Sequence, residues 1–377
     1  MAKILTGNSY PYRFNTPRSS AFDEIENVPF KSGKRIWAPL QAVSLPLVRP
    51  GDNHELLHTF NTVPLSLKPF LVSYEGEIPR AHEGWGKEAV GKACHAALMS
   101  DRCRGIFPIS RFSQRLAFLF AARNQYLRLD EKPGEVVYPS IAVAGDTPKT
   151  LDPDNIVLTF VGKHWARKGG AVAALAARLL KARGRKVTVN IVSQMAYGDA
   201  VYTDTHRGFY RNYLESMAED NVRHYPRLPN AEVMRMLAGS TFTLLPTLDD
   251  SFGFSVLESM SLAVPVIASG VCAIPEIITH QKDGVLLDMP LDAIGRWRHL
   301  PSSRAQRMSP AYQSRLASTF NQLARHIVVA VEQSSDTPDA YSEMSARCLE
   351  TIREKFESRR IAWQWHGIYE RMLHPLH

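Results

Sequence analysis

The chain has 377 residues, 45% of them hydrophobic and 22% charged, which is long enough for two buried cores and too apolar for large-scale disorder. A net charge of +8 points to anionic partners. With no zinc-finger spacing and no RNP-like aromatic pattern, a phosphorylated small molecule or an acidic membrane surface is expected rather than nucleic acid.

The opening "MAKILTGNSYPYRFNTPRSS" has no signal-peptide h-region, and nowhere do 18 apolar residues run together, so a cytoplasmic protein is expected. Cys94, Cys103, Cys272 and Cys348 form no CxxC pair and read as reduced core thiols.

In chain order, "AKILTG", "ELLHTF", "KPFLVSYEG" and "RGIFPIS" are apolar runs that predict buried parallel strands of a first α/β domain. The second of them overlaps His54-Glu55-Leu56-Leu57-His58, letter for letter the HExxH signature of a zinc peptidase. That chemistry needs a helix, where a spacing of four puts both imidazoles on one face. Pro50-Gly51 and Pro64 leave little room for one, and Glu75 and Glu77 lie at a predicted strand end, so no zinc site is expected.

In "PISRFSQRLAFLFAARNQYLRL" (108–129), Ser110 is placed to cap a helix with Phe112, Leu116, Leu119 and Leu127 as its core stripe. The opposite face gathers Arg111, Arg115 and Phe118, with Arg102 and Arg104 just before. Residues 102–128 thus suit either an ordinary solvated face or the headgroup layer of an anionic membrane.

"YPSIAVAGDTPKTLDPDN" (138–155) concentrates Pro139, Gly145, Pro148 and Pro153 and reads as an interdomain linker, dividing domains at 1–145 and 146–357. Its Asp152-x-Asp154 could be a metal-binding DxD, but Pro153 and the linker position favour a turn.

The second half alternates regularly: strand "IVLTFVG", helix "GAVAALAARLLKARG", strand "KVTVNIVS", helix "AEVMRMLAGS", strand "TFTLLP", a helix from about Ser255, and strand "VPVIAS". That alternation predicts a doubly wound parallel sheet. From 288 to 345 the strand signals fade into polar segments expected to be helical with loops.

Two patches of this half carry chemistry. In "FVGKHWARKGG" (160–170) a strand ends at Gly162 and a helix begins near Gly169, with Lys163, Arg167 and Lys168 between them; such a junction suits phosphate, or is a plain basic turn. In "LPTLDDSFGFSVLESMSLAVPVIAS" (245–269) a strand runs into Asp249 and Asp250, then Phe252-Gly253-Phe254, then a helix bearing Glu258. Gly253 permits close approach of a ligand, and the amides of Phe254, Ser255 and Val256 suit a diphosphate. Glu258 suits the vicinal hydroxyls of a ribose, and Asp250 hydroxyls beyond the phosphates.

These residues resemble a known family. "DSFGFSVLESMSLAVPVIASGVCAIPEII" is similar to the donor-site segment of retaining family 4 glycosyltransferases of the GT-B fold, with its E-x7-E pattern, small-x-PV strand and PE turn. Asp250 stands where the first acid is usually Glu, and Glu258 is the second. "FVGKHWARKGG" resembles the family's basic phosphate loop, with Lys163 and Lys168 as its pair. The resemblance covers 155–290; in the first half, Glu75-Gly76 stands where many members carry histidine and glycine.

The resemblance implies two Rossmann-like domains facing each other across a cleft, and a last helix, about 358–377, crossing back to the first. It also implies retaining transfer of a hexose from a nucleoside diphosphate sugar to a glycan, glycolipid or other hydroxyl acceptor, with no metal or other cofactor. Lys163, Lys168, Asp250 and Glu75 are the catalytic candidates. Gly162, Arg167, Lys168, Asp250, Phe252, Gly253, Phe254, Ser255, Val256 and Glu258 are the donor-binding ones. His58 would be a strand residue pointing to the cleft. Glu75 touches sugar or acceptor, or is a salt-bridged strand-end residue; His82 is a second candidate there. An epimerase of the same fold, lacking this acidic motif, and a catalytically silent nucleotide-sugar-binding subunit are the alternative readings.

Overall fold

The computed structural model describes residues 1–374 apart from 11, 49–50, 82–83, 124–127 and 133. The chain forms two compact units, Met1–Ala142 with Lys355–His377, and Val143–Glu354.

The described strands of the first unit are β1 (Lys3–Gly7), β2 (Glu24–Val28), β3 (Phe30–Ser32), β4 (Val43–Pro46), β5 (Leu56–Phe60), β6 (Val63–Pro64), β7 (Phe70–Tyr74) and β8 (Cys103–Pro108). Five form an all-parallel sheet in the order β2-β1-β5-β7-β8, a flavodoxin-like arrangement that reverses between β1 and β5. Every residue of β5 and β7 is buried because the sheet is covered on both faces. Leu57, Phe70 and Val72 pack on one side with Cys94 and Leu98 of the helix Lys87–Met99. Leu56, Leu71 and Phe107 pack on the other with Ile361, Trp365, Ile368 and Tyr369 of the helix Ser358–Leu373. Outside this sheet, β4 joins β3 and β6 in a small second sheet.

The last three HExxH letters, Leu56, Leu57 and His58, fall on a strand, because β5 begins at Leu56. His58 does not point to a cleft as expected. It is fully buried in the first unit, its Nδ1 2.7 Å from the Tyr369 hydroxyl and its Nε2 2.6 Å from the Ser73 hydroxyl. Burial pushes this imidazole down from 6.5 to about 3, so it is neutral in the folded unit.

Ser110 does cap the helix Arg111–Arg123, its hydroxyl accepting from the Ser113 amide at 2.9 Å. The core face, however, is Phe112, Ser113, Ala117 and Ala121, and Leu116 and Leu119 lie only half-buried. Small residues let the helix sit close to the sheet, so the leucines flank the contact; Leu127 lies outside the described residues. Arg111, Arg115 and Phe118 are exposed as expected.

The second unit holds β9 (Ile156–Val161), β10 (Val187–Val192), β11 (Val222–Tyr225), β12 (Phe242–Leu245), β13 (Val266–Ser269) and β14 (Gly284–Leu287), all parallel, in the order β11-β10-β9-β12-β13-β14. This is the doubly wound order of a dinucleotide-binding sheet, reversing between β9 and β12. The helix Gly170–Ala182, rich in alanine and buried along most of its length, packs under the helix Pro310–Asp336. Asp152-x-Asp154 is a turn: the Asp154 amide donates to Asp152 Oδ1 at 3.0 Å. All four cysteines are free and buried.

His58 gives a pH prediction. Between pH 6.5 and 3 the unfolded chain binds a proton that the folded unit refuses, so stability falls as pH falls through that window, by about 1.4 kcal/mol per pH unit. Urea unfolding compared at about pH 7 and pH 5 should show a loss of about 2 kcal/mol from this residue, absent in His58→Gln. A variant with the wild-type pH dependence would show that His58 is not the source.

Candidate functional site

The two patches singled out in the sequence leave the carboxyl ends of neighbouring strands. β9 pairs directly with β12, with Phe242 opposite Leu158 and Leu244 opposite Phe160. Since the sheet winds away in both directions from this pair, no strand separates the loops 162–169 and 246–253, and a crevice opens where ligands of such sheets bind.

The loops are stitched together. Gly169 has φ +95°, and a Cβ there would lie 2.3 Å from the Pro246 carbonyl oxygen, so the absence of a side chain is what lets the backbones touch. Beside that contact the Arg167 carbonyl accepts from the Leu248 amide at 2.9 Å and the Thr247 hydroxyl at 3.1 Å. The Arg167 guanidinium donates to the Asp249 carbonyl, and Lys168 Nζ lies 2.8 Å from Asp250 Oδ2. Trp165 anchors the basic loop from below, fully buried against Tyr197 and Tyr210.

Lys168 and Asp250 therefore form one ion pair rather than two separate contacts. Burial alone would raise the Asp250 carboxyl, but Lys168, Arg167 and the Phe252 amide outweigh it and hold Asp250 below the usual carboxylate range. Burial, and then Arg167, Lys163 and Lys168, push His164 down, a sign of how positive this end of the sheet is. Lys163 is exposed, and Gly162 is buried, its amide donating to Val192 at 3.0 Å.

On the acidic side, Gly253 has φ +89° and precedes the helix Phe254–Met260. Phe252 is fully buried, and its amide bonds the Asp250 carboxylate. Phe254 packs near it, ring centroids 5.5 Å apart, and Ser255 is half-buried. One expectation is corrected here. The Val256 amide is not offered to a ligand, because it donates to the Gly253 carbonyl at 2.8 Å and closes the turn into the helix. Glu258 is buried, with Asn230 Nδ2 donating to its Oε1 at 3.2 Å.

Sequence reasoning missed the residues behind these loops. Asp249 is buried and accepts a two-pronged contact from Arg296, Nη2 at 3.1 Å and Nε at 3.3 Å. The Tyr202 hydroxyl and the Cys272 thiol also donate to it, and the Tyr202 ring lies under Arg167, 5.7 Å from its guanidinium carbon. The adjacent aspartates were the available signal: side by side and equally buried, one pairs with Arg296 and the other with Lys168. In the first unit, Glu75 follows β7, ion-paired to Arg80 at 3.0 Å, its amide donating to Asn61 and its carbonyl accepting from Ser113. His82 lies outside the described residues. Among the described residues, no three His, Cys, Asp or Glu side chains gather as a metal would require.

Residues 146–306 match the family model described as glycosyl transferases group 1. The second unit carries a group 1 glycosyltransferase domain. The chain is 30% identical over 173 residues to a D-inositol 3-phosphate glycosyltransferase of Thermobifida fusca, 40% of this chain and 37% of that protein. It is 27% identical over 174 residues to the enzyme of the same name from Segniliparus rotundus, 44% and 38% of the two chains. These matches span less than half of either relative's length. Among solved structures, Anabaena HepE in complex with UDP and glucose aligns over 98% of this chain and 100% of its own, at a TM-score of 0.57 and 13% identity. Sucrose-phosphate synthase of Thermosynechococcus elongatus aligns over 99% of each chain, at 0.59 and 12%. The fold is GT-B, with two Rossmann-like units.

The contact at Gly169 should be intolerant of change in the group 1 domain. Gly169→Ala combines a disfavoured positive φ with a clash against backbone, and is expected to lower stability by about 2 kcal/mol or more. Urea unfolding checks this; a loss under about 0.5 kcal/mol, the range of a neutral surface change, would mean that the loops can part freely.

Proposed function

We propose that the protein is a retaining glycosyltransferase that moves a hexose from a nucleoside diphosphate sugar to a hydroxyl of a glycan, glycolipid or other acceptor, in surface polysaccharide or glycoconjugate synthesis. The observation that carries this is the pairing at the switch point: a basic loop bearing Lys163, Arg167 and Lys168, stitched to an acidic loop bearing Asp250 and leading to Glu258.

The diphosphate lies beyond the ends of β9 and β12, against Gly253 and the basic loop. Its departure from an oxocarbenium-like sugar builds negative charge, and donors aimed at that charge contribute most to the rate. Lys168 is shared between Asp250 and the leaving group, with Lys163 and Arg167 beside it. Ionised Asp250 accepts from sugar hydroxyls. Glu258, oriented by Asn230, grips the ribose.

The acceptor oxygen attacks from the face the diphosphate leaves. The sugar–phosphate bond breaks as the new glycosidic bond forms, and the acceptor's proton passes to the departing phosphate oxygen, so neither a protein nucleophile nor a metal takes part. Glu75 acts on the acceptor side, held by Arg80. A lipid-linked acceptor would be met at the inner face of the membrane.

Glu258→Gln should weaken donor binding by about 1.5–3 kcal/mol, since an amide accepts through one oxygen where the carboxylate offers two. Calorimetry with a panel of UDP-, GDP- and ADP-sugars measures this; equal affinity in the variant ends the ribose role.

Lys168→Ala should lower the chemical rate about tenfold to a hundredfold with the fold intact, and EDTA should change neither protein. Wild-type turnover in the variant refutes the phosphate-loop assignment. Donor consumed without acceptor would indicate an epimerase, and donor bound without turnover a silent binding subunit.

A further inference from the structure

The first unit has a second surface, distinct from the loops at its strand ends. Between the small sheet β3-β4-β6 and the helix Lys87–Met99 runs a groove of about 550 Å³, lined by Leu40, Val43, Val63, Val90 and Ala97, with Arg102 at its rim. That volume falls in the range of ligand pockets, about 300–1,000 Å³. Arg102 is exposed, and its Nη1 donates to the Ser66 carbonyl at 2.6 Å.

Around this groove the chain does what a water-facing surface rarely does. Leu67 is 91% exposed, Trp85 88%, Ile36 86% and Leu65 67%, and Leu45, Leu47 and Val48 are exposed beside them. These are seven of the thirteen exposed large hydrophobics among the described residues, gathered in three short segments, 30–48, 63–68 and 84–102. Isolated exposed leucines need no explanation; a cluster around an apolar groove does.

The charge in the same segments names the partner. Their described basic residues are Lys31, Lys34, Arg35, Lys68, Lys87, Lys92 and Arg102, against Glu88 and Asp101 as the described acids. Apolar tips and cations carried by the same segments match an anionic lipid surface, where the tips enter the acyl boundary and the lysines reach back to the phosphates. The helix Arg111–Arg123 differs: its one exposed large hydrophobic is Phe118, so it offers charge with little to insert.

We propose that this surface docks on a bilayer of anionic phospholipid, with Ile36, Leu65, Leu67 and Trp85 inserted and one acyl chain lying in the groove. The docking goes beyond the sugar-transfer reading and does not depend on it.

The test is sedimentation of the full chain with vesicles of equal parts phosphatidylglycerol and phosphatidylcholine, with turnover of a soluble acceptor analogue followed separately. Wild-type protein should bind, with a blue shift of Trp85 emission that Trp85→Phe removes. Added salt should weaken binding, because exposed charge is screened over about 8 Å at physiological ionic strength. Leu65→Ser with Leu67→Ser, and separately Ile36→Ser, should weaken binding about tenfold or more with unchanged Tm and turnover. Ala97→Trp, which fills the groove, should do the same. Three results overturn the proposal: no binding even at low salt; apolar variants that bind like wild type while Arg111→Glu with Arg115→Glu abolishes it; or a dimer formed without lipid and lost in Leu67→Ser, which would make a second copy of this chain the partner.

Discussion

A side chain at position 169 would place its first carbon 2.3 Å from the Pro246 carbonyl, and the arrangement of the candidate site depends on that contact. It sets the two crossover loops at backbone distance, and only at that distance can one residue's carbonyl accept from Leu248 and Thr247 while its neighbour's ammonium reaches Asp250. Adjacent carboxylates would ordinarily repel each other. Here the repulsion is relieved by dividing them: Asp249 turns inward to Arg296, Tyr202 and Cys272, and Asp250 turns to Lys168. A buried carboxylate that has lost its partner is far more costly than one that is paired, so each half of this arrangement holds the other in place.

The second unit was the more legible half because its central strands are buried on both faces and read as continuous apolar runs, and because loops that hold phosphate need glycine and cations near each other in sequence. Two edge strands escaped notice for the opposite reason. β2, with the sequence EIENV, and β11, with VRHY, are largely half-buried or exposed, and so carry polar residues no different from those of a loop. The helix Pro310–Asp336 lies in a stretch whose fading strand signals point to helix with loops but not to a single helix of 27 residues.

Contacts between distant residues were illegible in principle. Arg296 meets Asp249 across 47 residues, and no local pattern encodes that meeting. Asn230 reaches Glu258 from the start of another helix. Letters alone decide little where burial decides: the same five that mark a zinc helix elsewhere here include two buried strand residues, Leu56 and Leu57, and a neutral histidine locked between Ser73 and Tyr369. On the helix Arg111–Arg123 helical spacing places Phe112 correctly in the core but points to the leucines for the rest of the stripe, whereas Ser113, Ala117 and Ala121 are the buried residues.

The first unit is assembled from both ends of the chain, with Trp365, Ile368 and Tyr369 packed against Ile4, Leu56 and Leu71. During synthesis, then, the second unit can fold as a continuous stretch while the first waits with one face of its sheet uncovered and His58 lacking Tyr369. Chains generally fold domain by domain from the amino end as they emerge. This one inverts that order for its last step: the part made first is completed last, and its exposed apolar face is what a chaperone would meet in the interval.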